Sequence, residues 1–139
     1  FVNFYNRLML KEGHLSKLER EMIAVVVSSC NKCFYCLIAH GAAVRQLSKN
    51  PILGDELVIN YRAANLNERE RLMLDFTAKL TEEPSKVDHL DRNILRKAKF
   101  SDEEILEIIE VASFFNMSNR IAIGTDMRPN KEYHNIARD

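Results

Sequence analysis

The sequence has no excess of either charge: 20 Lys and Arg face 20 Asp and Glu in 139 residues. Nucleic-acid-binding and membrane-surface proteins favour a basic excess, so this balance argues against both roles. It has no run of about 18 apolar residues, and so offers no transmembrane helix. No secretory signal is visible. Residue 1 is Phe rather than Met, so the translated protein is expected to begin further upstream. Repeats, low-complexity tracts and linkers are missing as well. So are the dispersed cysteines of a secreted disulfide scaffold, an absence that suggests the cytoplasm. The expectation is one domain over residues 1–139, long enough to bury a core without metals or disulfides.

Three cysteines are present, all between positions 30 and 36. An isolated free Cys is usually a small buried hydrophobe. Three so close together look instead like a chemical site.

The chain reads as helices joined by short polar connections, an all-α fold. Phe1 to Leu10 has apolar residues at helical spacing, and Gly13 interrupts it. Ser16 with Glu19 forms a capping-box pattern, which predicts a helix from near Lys17 through Val27. The run Val25-Val-Val27 favours strand by propensity alone, but the cap and the missing period-2 alternation favour helix. Asn31 is the expected N-cap of the next helix, from about Lys32 to Gln46. Lys49-Asn50-Pro51 ends it, and a shorter helix follows from about Ile52 to Tyr61. Asn67 with Glu70 opens Glu68 to Leu80. Ser85 with Asp88 opens another helix after Pro84, ending near Lys97. Ser101 with Glu104 opens the last long helix, to about Asn119 or slightly beyond, with Gly124 as terminator. That helix is apolar nearly all round, so it must be covered on several sides. It is either a central core helix or one that a partner subunit helps to cover.

Cys33-Phe-Tyr-Cys36-Leu-Ile-Ala-His40 is the informative segment. On a helix, positions 33, 36 and 40 fall within an arc of about 60°. Sulfurs at i and i+3 lie on Cα atoms on the order of 5–6 Å apart, within disulfide range. A free thiol, with a pKa of roughly 8.5, is mostly protonated at neutral pH. With Asn31 as cap, Cys33 falls in the first helical turn, where the partial positive charge favours thiolate. His40 supplies a base or a positive neighbour. A thiolate so activated can attack a peroxide to give a sulfenic acid, which the second thiol converts to a disulfide. The same residues allow another reading. Cys30, Cys33, Cys36 and His40 are four soft ligands, and C-x2-C-x2-C is part of an iron–sulfur pattern. Helical flanks work against four ligands converging on one ion. No metal ligand and no cofactor is therefore assigned, and Cys30 is most simply a buried small residue.

Glu21, Cys33 twelve residues on, Cys36 and His40 together resemble the Glu…Cys-x-x-Cys-x-x-x-His pattern of alkyl hydroperoxidase D (AhpD), of the carboxymuconolactone decarboxylase-like superfamily. The peroxidase-related branch of that superfamily is closer still. Segments similar to it are Glu19-Arg-Glu-Met-Ile-Ala-Val-Val-Val-Ser28, Cys36-Leu-Ile-Ala-His-Gly-Ala-Ala43, Asn60-Tyr-Arg62, Phe114-Phe-Asn-Met-Ser-Asn-Arg120 and Asp126-Met-Arg-Pro-Asn130 with Tyr133-His134. The resemblance spans nearly the whole chain.

It implies an AhpD-like helical domain that forms a homo-oligomer, a trimer or hexamer, and whose N-terminal helical segment is missing or shortened here. It implies a catalytic set in which Cys36 attacks peroxide and Cys33 resolves the product. Glu21 and His40 would form a proton relay through water. Hydrogen peroxide or an organic hydroperoxide would be the substrate, and a lipoylated or thioredoxin-like protein the external dithiol reductant. The family's His before the second Cys is Tyr35 in this chain, and a phenol is not a base near neutral pH. Without the resemblance, Glu21 reads as a solvent-facing glutamate in a charged stretch. The competing readings are a non-catalytic redox sensor or disulfide-exchange module, a Cys/His metal site, and the decarboxylase activity of the superfamily's name, which does not rest on a CxxC. Asn116, Asn119 and Arg120 read as helix-end caps or interface residues, and His14, His89 and His134 as surface residues.

Overall fold

The structure, a computed structural model, describes all residues 1–139. Its elements are seven α-helices with no strand. They are α1 (Val2–Tyr5), α2 (Lys17–Asn31), α3 (Phe34–Ser48), α4 (Pro51–Asn60), α5 (Glu68–Glu82), α6 (His89–Lys97) and α7 (Asp102–Gly124). None is long and apolar enough to cross a membrane.

Local chemistry starts most of these helices. The Ser16 hydroxyl accepts from the Glu19 N–H at 3.0 Å, and the Glu19 carboxylate accepts from the Ser16 N–H at 2.9 Å. The same reciprocal box opens α5 with Asn67 and Glu70, and α7 with Ser101 and Glu104. Each satisfies two donors that a helix start would otherwise leave unpaired. Two expected starts are displaced. The sixth helix is capped by Asp88 with Asp91, not by Ser85, because Ser85 is taken up in a 3-10 turn over Pro84–Lys86. Asn31 caps nothing. It is the last residue of α2, and its amide is engaged by side chains of α7.

What ends α2 is Lys32 in the left-handed conformation, φ 55°. The Cys33 N–H returns to the Ser28 carbonyl at 3.0 Å, the six-residue closure of a Schellman turn. The chain re-enters helix immediately, with Cys33 itself as the N-cap of α3.

The helix buried all round is α2. Arg20 through Ser28 are buried, and the Val25-Val-Val27 run sits in the core of the molecule. Packing against α3, α4, α5 and α7 overrides the strand preference of those valines. On α7, Ile105, Ile108, Val111, Ala112, Phe114 and Phe115 are buried, whereas Leu106 and Met117 remain exposed. A single chain therefore covers only part of that helix.

The N-terminal segment is a short α-turn that widens into a π-helical stretch over Asn6–Leu10. Phe1, Phe4 and Tyr5 pack their rings around Phe114. A buried cation holds the segment down: Arg20 donates to the carbonyls of Leu8 and Lys11, both at 2.8 Å. Its charge is met by Glu107 at 3.5 Å, whose carboxylate also accepts from the backbone N–H groups of His14 and Leu15. Where α3 crosses α4, a Cβ on Gly54 would stand 3.2 Å from the Gly41 carbonyl and closer still to the Arg45 side chain. That crossing depends on the missing side chain.

Candidate active site

Three helices meet at the dithiol. From α2 come Glu21 and Ser28, from α7 come Phe115, Asn119 and Ala122, and α3 supplies Cys36 and His40 with Cys33 at its N-cap. The tight turn at Lys32 sets this arrangement. Cys33 stands at the N-cap rather than inside the first turn, and Cys36 occupies the third helical position. In a capping box those two positions face each other. Here they carry two sulfurs.

Both thiols are free, and both are about 1% exposed. Ala122 packs against them, with Tyr35 at the edge. Burial pushes the Cys36 thiol up from the usual 9.0 to about 12, and the neighbouring Cys33 adds to the rise through a hydrogen bond and its charge. Asn119 acts on the same sulfur in the opposite direction. Cys36 is thus a protonated thiol at neutral pH, and its use as a nucleophile requires a base.

A base stands one turn along α3. His40 Nδ1 and Glu21 Oε2 lie 2.6 Å apart. The carboxylate orients the ring so that Nδ1 carries the proton and Nε2 is left as the basic nitrogen. The edge of Phe115 meets the ring, with centroids 4.6 Å apart. Glu21, which charge patterning alone would leave in solvent, is 7% exposed.

Cys30 does not join this group. It is half-buried, and burial, with the Glu82 carboxylate next in order, pushes its thiol up to about 12. Cys30, Cys33, Cys36 and His40 do not converge into a set that could hold a metal ion. Cys30 points into a separate pocket with Glu82 and Arg62.

A pocket of about 190 Å³ opens onto Cys33 and is lined also by Phe34, Tyr35, Ala122, Met127 and Arg128. The C-terminal tail forms one wall. Arg45, 3% exposed, donates to the carbonyls of Ile136 at 2.8 Å and Tyr133 at 3.0 Å, which ties the tail across α3. His134 packs against Phe34, and the Arg128 guanidinium lies over the same ring, 4.8 Å from its centroid. The Tyr35 phenol is raised, chiefly by burial and next by the neighbouring Tyr133. At the position where the resembling family has a histidine, this chain has a partly buried phenol at the edge of the dithiol. A larger cavity of about 260 Å³ lies toward the start of α7, among Arg7, His14, Arg20, Glu103, Glu107 and Glu110, and contains no thiol.

Cys33, Cys36, His40 and Glu21, the residues to which the sequence points, meet at one junction in the fold. Nothing in the sequence marks Ser28. Asn119, by sequence a cap or an interface residue, is wholly buried beside Cys36. The available signal was an amide on an otherwise apolar helix face, four residues after Phe115 and three before Ala122.

An all-helical fold with a Cys-x-x-Cys at the start of a helix, backed by a His–Glu pair from that helix and its neighbour, defines a dithiol protein of the AhpD type. Residues 1–79 match the carboxymuconolactone decarboxylase family. The chain belongs to that family, among its AhpD-like members. A protein from Silicibacter sp. TM1040, described as an uncharacterized peroxidase-related protein, is 59% identical. The similarity covers 99% of this chain and 72% of that one, with a TM-score of 0.97. An uncharacterized peroxidase-related protein from Ralstonia eutropha JMP134, described as an alkylhydroperoxidase AhpD core, is 40% identical. It covers 99% of this chain and 73% of its own, with a TM-score of 0.96. The debrominase Bmp8 shares the fold at 18% identity and a TM-score of 0.80, over 97% of this chain and 72% of its own. No functionally curated protein matches the chain.

Proposed function

We propose that this protein is a thiol-dependent peroxidase that reduces hydrogen peroxide or an organic hydroperoxide through Cys36 and Cys33. The observation that carries the reading is the pair of sulfurs at the N-cap and third position of α3, one turn from a His40–Glu21 pair at 2.6 Å.

The chemistry runs in three steps. His40 Nε2 takes the Cys36 proton, directly or through water, and Glu21 stabilises the resulting imidazolium. The Cys36 thiolate attacks the distal peroxide oxygen: the O–O bond breaks, an S–O bond forms, and the proton held by the relay passes to the departing alkoxide or hydroxide. Cys36 is then a sulfenic acid, and alcohol or water is released. Cys33 attacks that sulfur, an S–S bond forms, and water leaves with the Cys33 proton. A dithiol protein, lipoylated or thioredoxin-like by family likeness, gives up two electrons and two protons to reopen the disulfide. Cys33, whose sulfur such a reductant would attack, is among the residues that line the pocket.

A second reading is a redox sensor or disulfide-exchange module. It is favoured by the near-complete burial of both sulfurs and by Tyr35 in place of a histidine. The two readings separate in stopped-flow measurement of thiol loss from the reduced protein after addition of cumene hydroperoxide, with the product located by peptide mass spectrometry. Fast loss that ends in a Cys33–Cys36 disulfide is the peroxidase result. Loss no faster than that of free cysteine removes the peroxidase and leaves the exchange module.

The protein is also expected to self-associate. Leu106 and Met117 on α7, and Ile52 and Ile59 on α4, are large apolar side chains left in solvent. Sedimentation velocity that gives a monomer at micromolar concentration would remove this expectation.

A further inference from the structure

Helices α3 and α7 pass each other with matched faces. Phe115 meets His40 at one end of the contact, and Ala122 packs on Cys33 and Cys36 at the other. Asn119 lies between them on the same face of α7, because residues three and four apart share a helix face. It therefore falls opposite Cys36, and none of it reaches solvent.

Its amide is held in one orientation by a chain of hydrogen bonds. Thr81 Oγ1 donates to the Thr77 carbonyl at 2.9 Å, so it must accept from Asn116 Nδ2 at 3.3 Å. The Ala112 carbonyl accepts from the same nitrogen at 3.0 Å. Asn116 Oδ1 is thereby turned toward Asn31. Asn31 Nδ2 donates to Asn116 Oδ1 and to Asn119 Oδ1, both at 3.0 Å. With its oxygen so occupied, Asn119 presents Nδ2 to the sulfur side. There it donates to Ser28 Oγ at 3.0 Å, while the Ser28 proton is committed to the Ala24 carbonyl at 2.7 Å. A primary amide has two N–H groups, and only one of them is used on Ser28.

We propose that Asn119 is a further catalytic residue: its second amide N–H, held on the sulfur side, donates to Cys36 once the thiol ionises and so stabilises the thiolate. Asn31 and Ser28 are positioning residues that hold the amide in that orientation. The inference rests on Cys36 as the reacting thiol. A buried thiolate has lost its water, and only donors already in place can compensate. Hydrogen bonds to an ionised acceptor are the strong ones, and a donor locked by other bonds need not reorganise when charge appears. Asn119 also draws the Cys36 thiol down against the rise that burial causes.

The test is the rate of iodoacetamide alkylation at Cys36 in the reduced protein at fixed pH values from about 7 to 9, with the modified residue assigned by tandem mass spectrometry. In Asn119→Ala the rate at each pH should fall roughly tenfold, in proportion to the smaller thiolate fraction. Asn31→Ala, at the less buried end of the network, should slow it by a smaller factor. An unchanged rate in natively folded Asn119→Ala overturns the proposal, even if thermal stability falls, because that is the signature of a purely structural amide. If Asn119→Ala does not fold, Asn31→Ala decides: a slower rate supports the proposal, and no change overturns it. The readout uses no peroxide. A parent protein that fails to consume peroxide while the variant rate still falls would remove the peroxidase and keep the donor.

Discussion

Glu21 Oε2 and His40 Nδ1 meet at 2.6 Å where α2 packs on α3, with side chains 9% and 11% exposed. A carboxylate so withdrawn from water holds the imidazole in one orientation, with Nδ1 turned toward it. His40→Ala should slow peroxide-driven thiol loss on the order of 10²-fold. Glu21→Gln, which keeps an acceptor for Nδ1–H but loses the charge, should slow it less. Stopped-flow rates across the pH profile check both. A His40→Ala rate equal to the parent at every pH would take His40 out of the mechanism.

The two sulfurs have different surroundings, and the roles proposed for them separate by substitution. Cys36→Ser should abolish peroxide-driven sulfenic acid. Cys33→Ser should form it and retain it, since no second thiol faces Cys36 to condense with it. Dimedone labelling with mass spectrometry reads both. Peroxide consumption at the parent rate by Cys36→Ser would transfer the attacking role to Cys33, which lines the pocket.

The raised thiols make stability depend on pH. Burial pushes Cys36 and Cys30 from 9.0 to about 12 in the folded chain. A thiol of the unfolded chain titrates near its ordinary value of about 8.5. The folded state therefore holds these protons more tightly. The contribution is complete below about pH 8.5 and is lost as pH rises toward 12. Urea midpoints should fall across that window. In Cys30→Ser with Cys36→Ser they should fall less steeply, the remainder including Tyr5, Tyr35 and Tyr61, whose phenols are raised in the same direction. Equal slopes in parent and double variant would mean the thiols are not held protonated by the fold.

Arg20 and Glu107 form the buried ion pair that secures the N-terminal segment. Removal of one partner leaves the other charge without compensation, which typically costs about 3–5 kcal/mol. Glu107→Ala should show a loss of that size in urea unfolding, and should also release the segment before α2, because two backbone N–H groups lose their acceptor. A loss under about 1 kcal/mol, the range of an exposed pair, would contradict the pairing.

Much of this protein is legible in the chain itself, wherever the deciding contacts span only a few residues. Ser16 finds Glu19, Asn67 finds Glu70 and Ser101 finds Glu104 within a single turn, so those starts are written locally. The spacing of Cys33, Cys36 and His40 is equally local. Helical geometry alone stacks Cys36 and His40, and their residue types carry the chemistry. Tertiary structure decided the rest. Asn31 has the residue type of a cap, yet its amide is claimed by Asn116 and Asn119, 85 and 88 positions away, and the start of α3 passes to Cys33. Glu21 has the composition of a surface residue, and only the packing of α2 on α3 turns it onto His40. The Val25-Val-Val27 run, ambiguous between strand and helix, is settled by four helices that close around it. A short-range rule holds where a polar group has one reachable partner. Where the fold offers a second, distant one, burial makes that partner the stronger, and the outcome is decided by the assembled core.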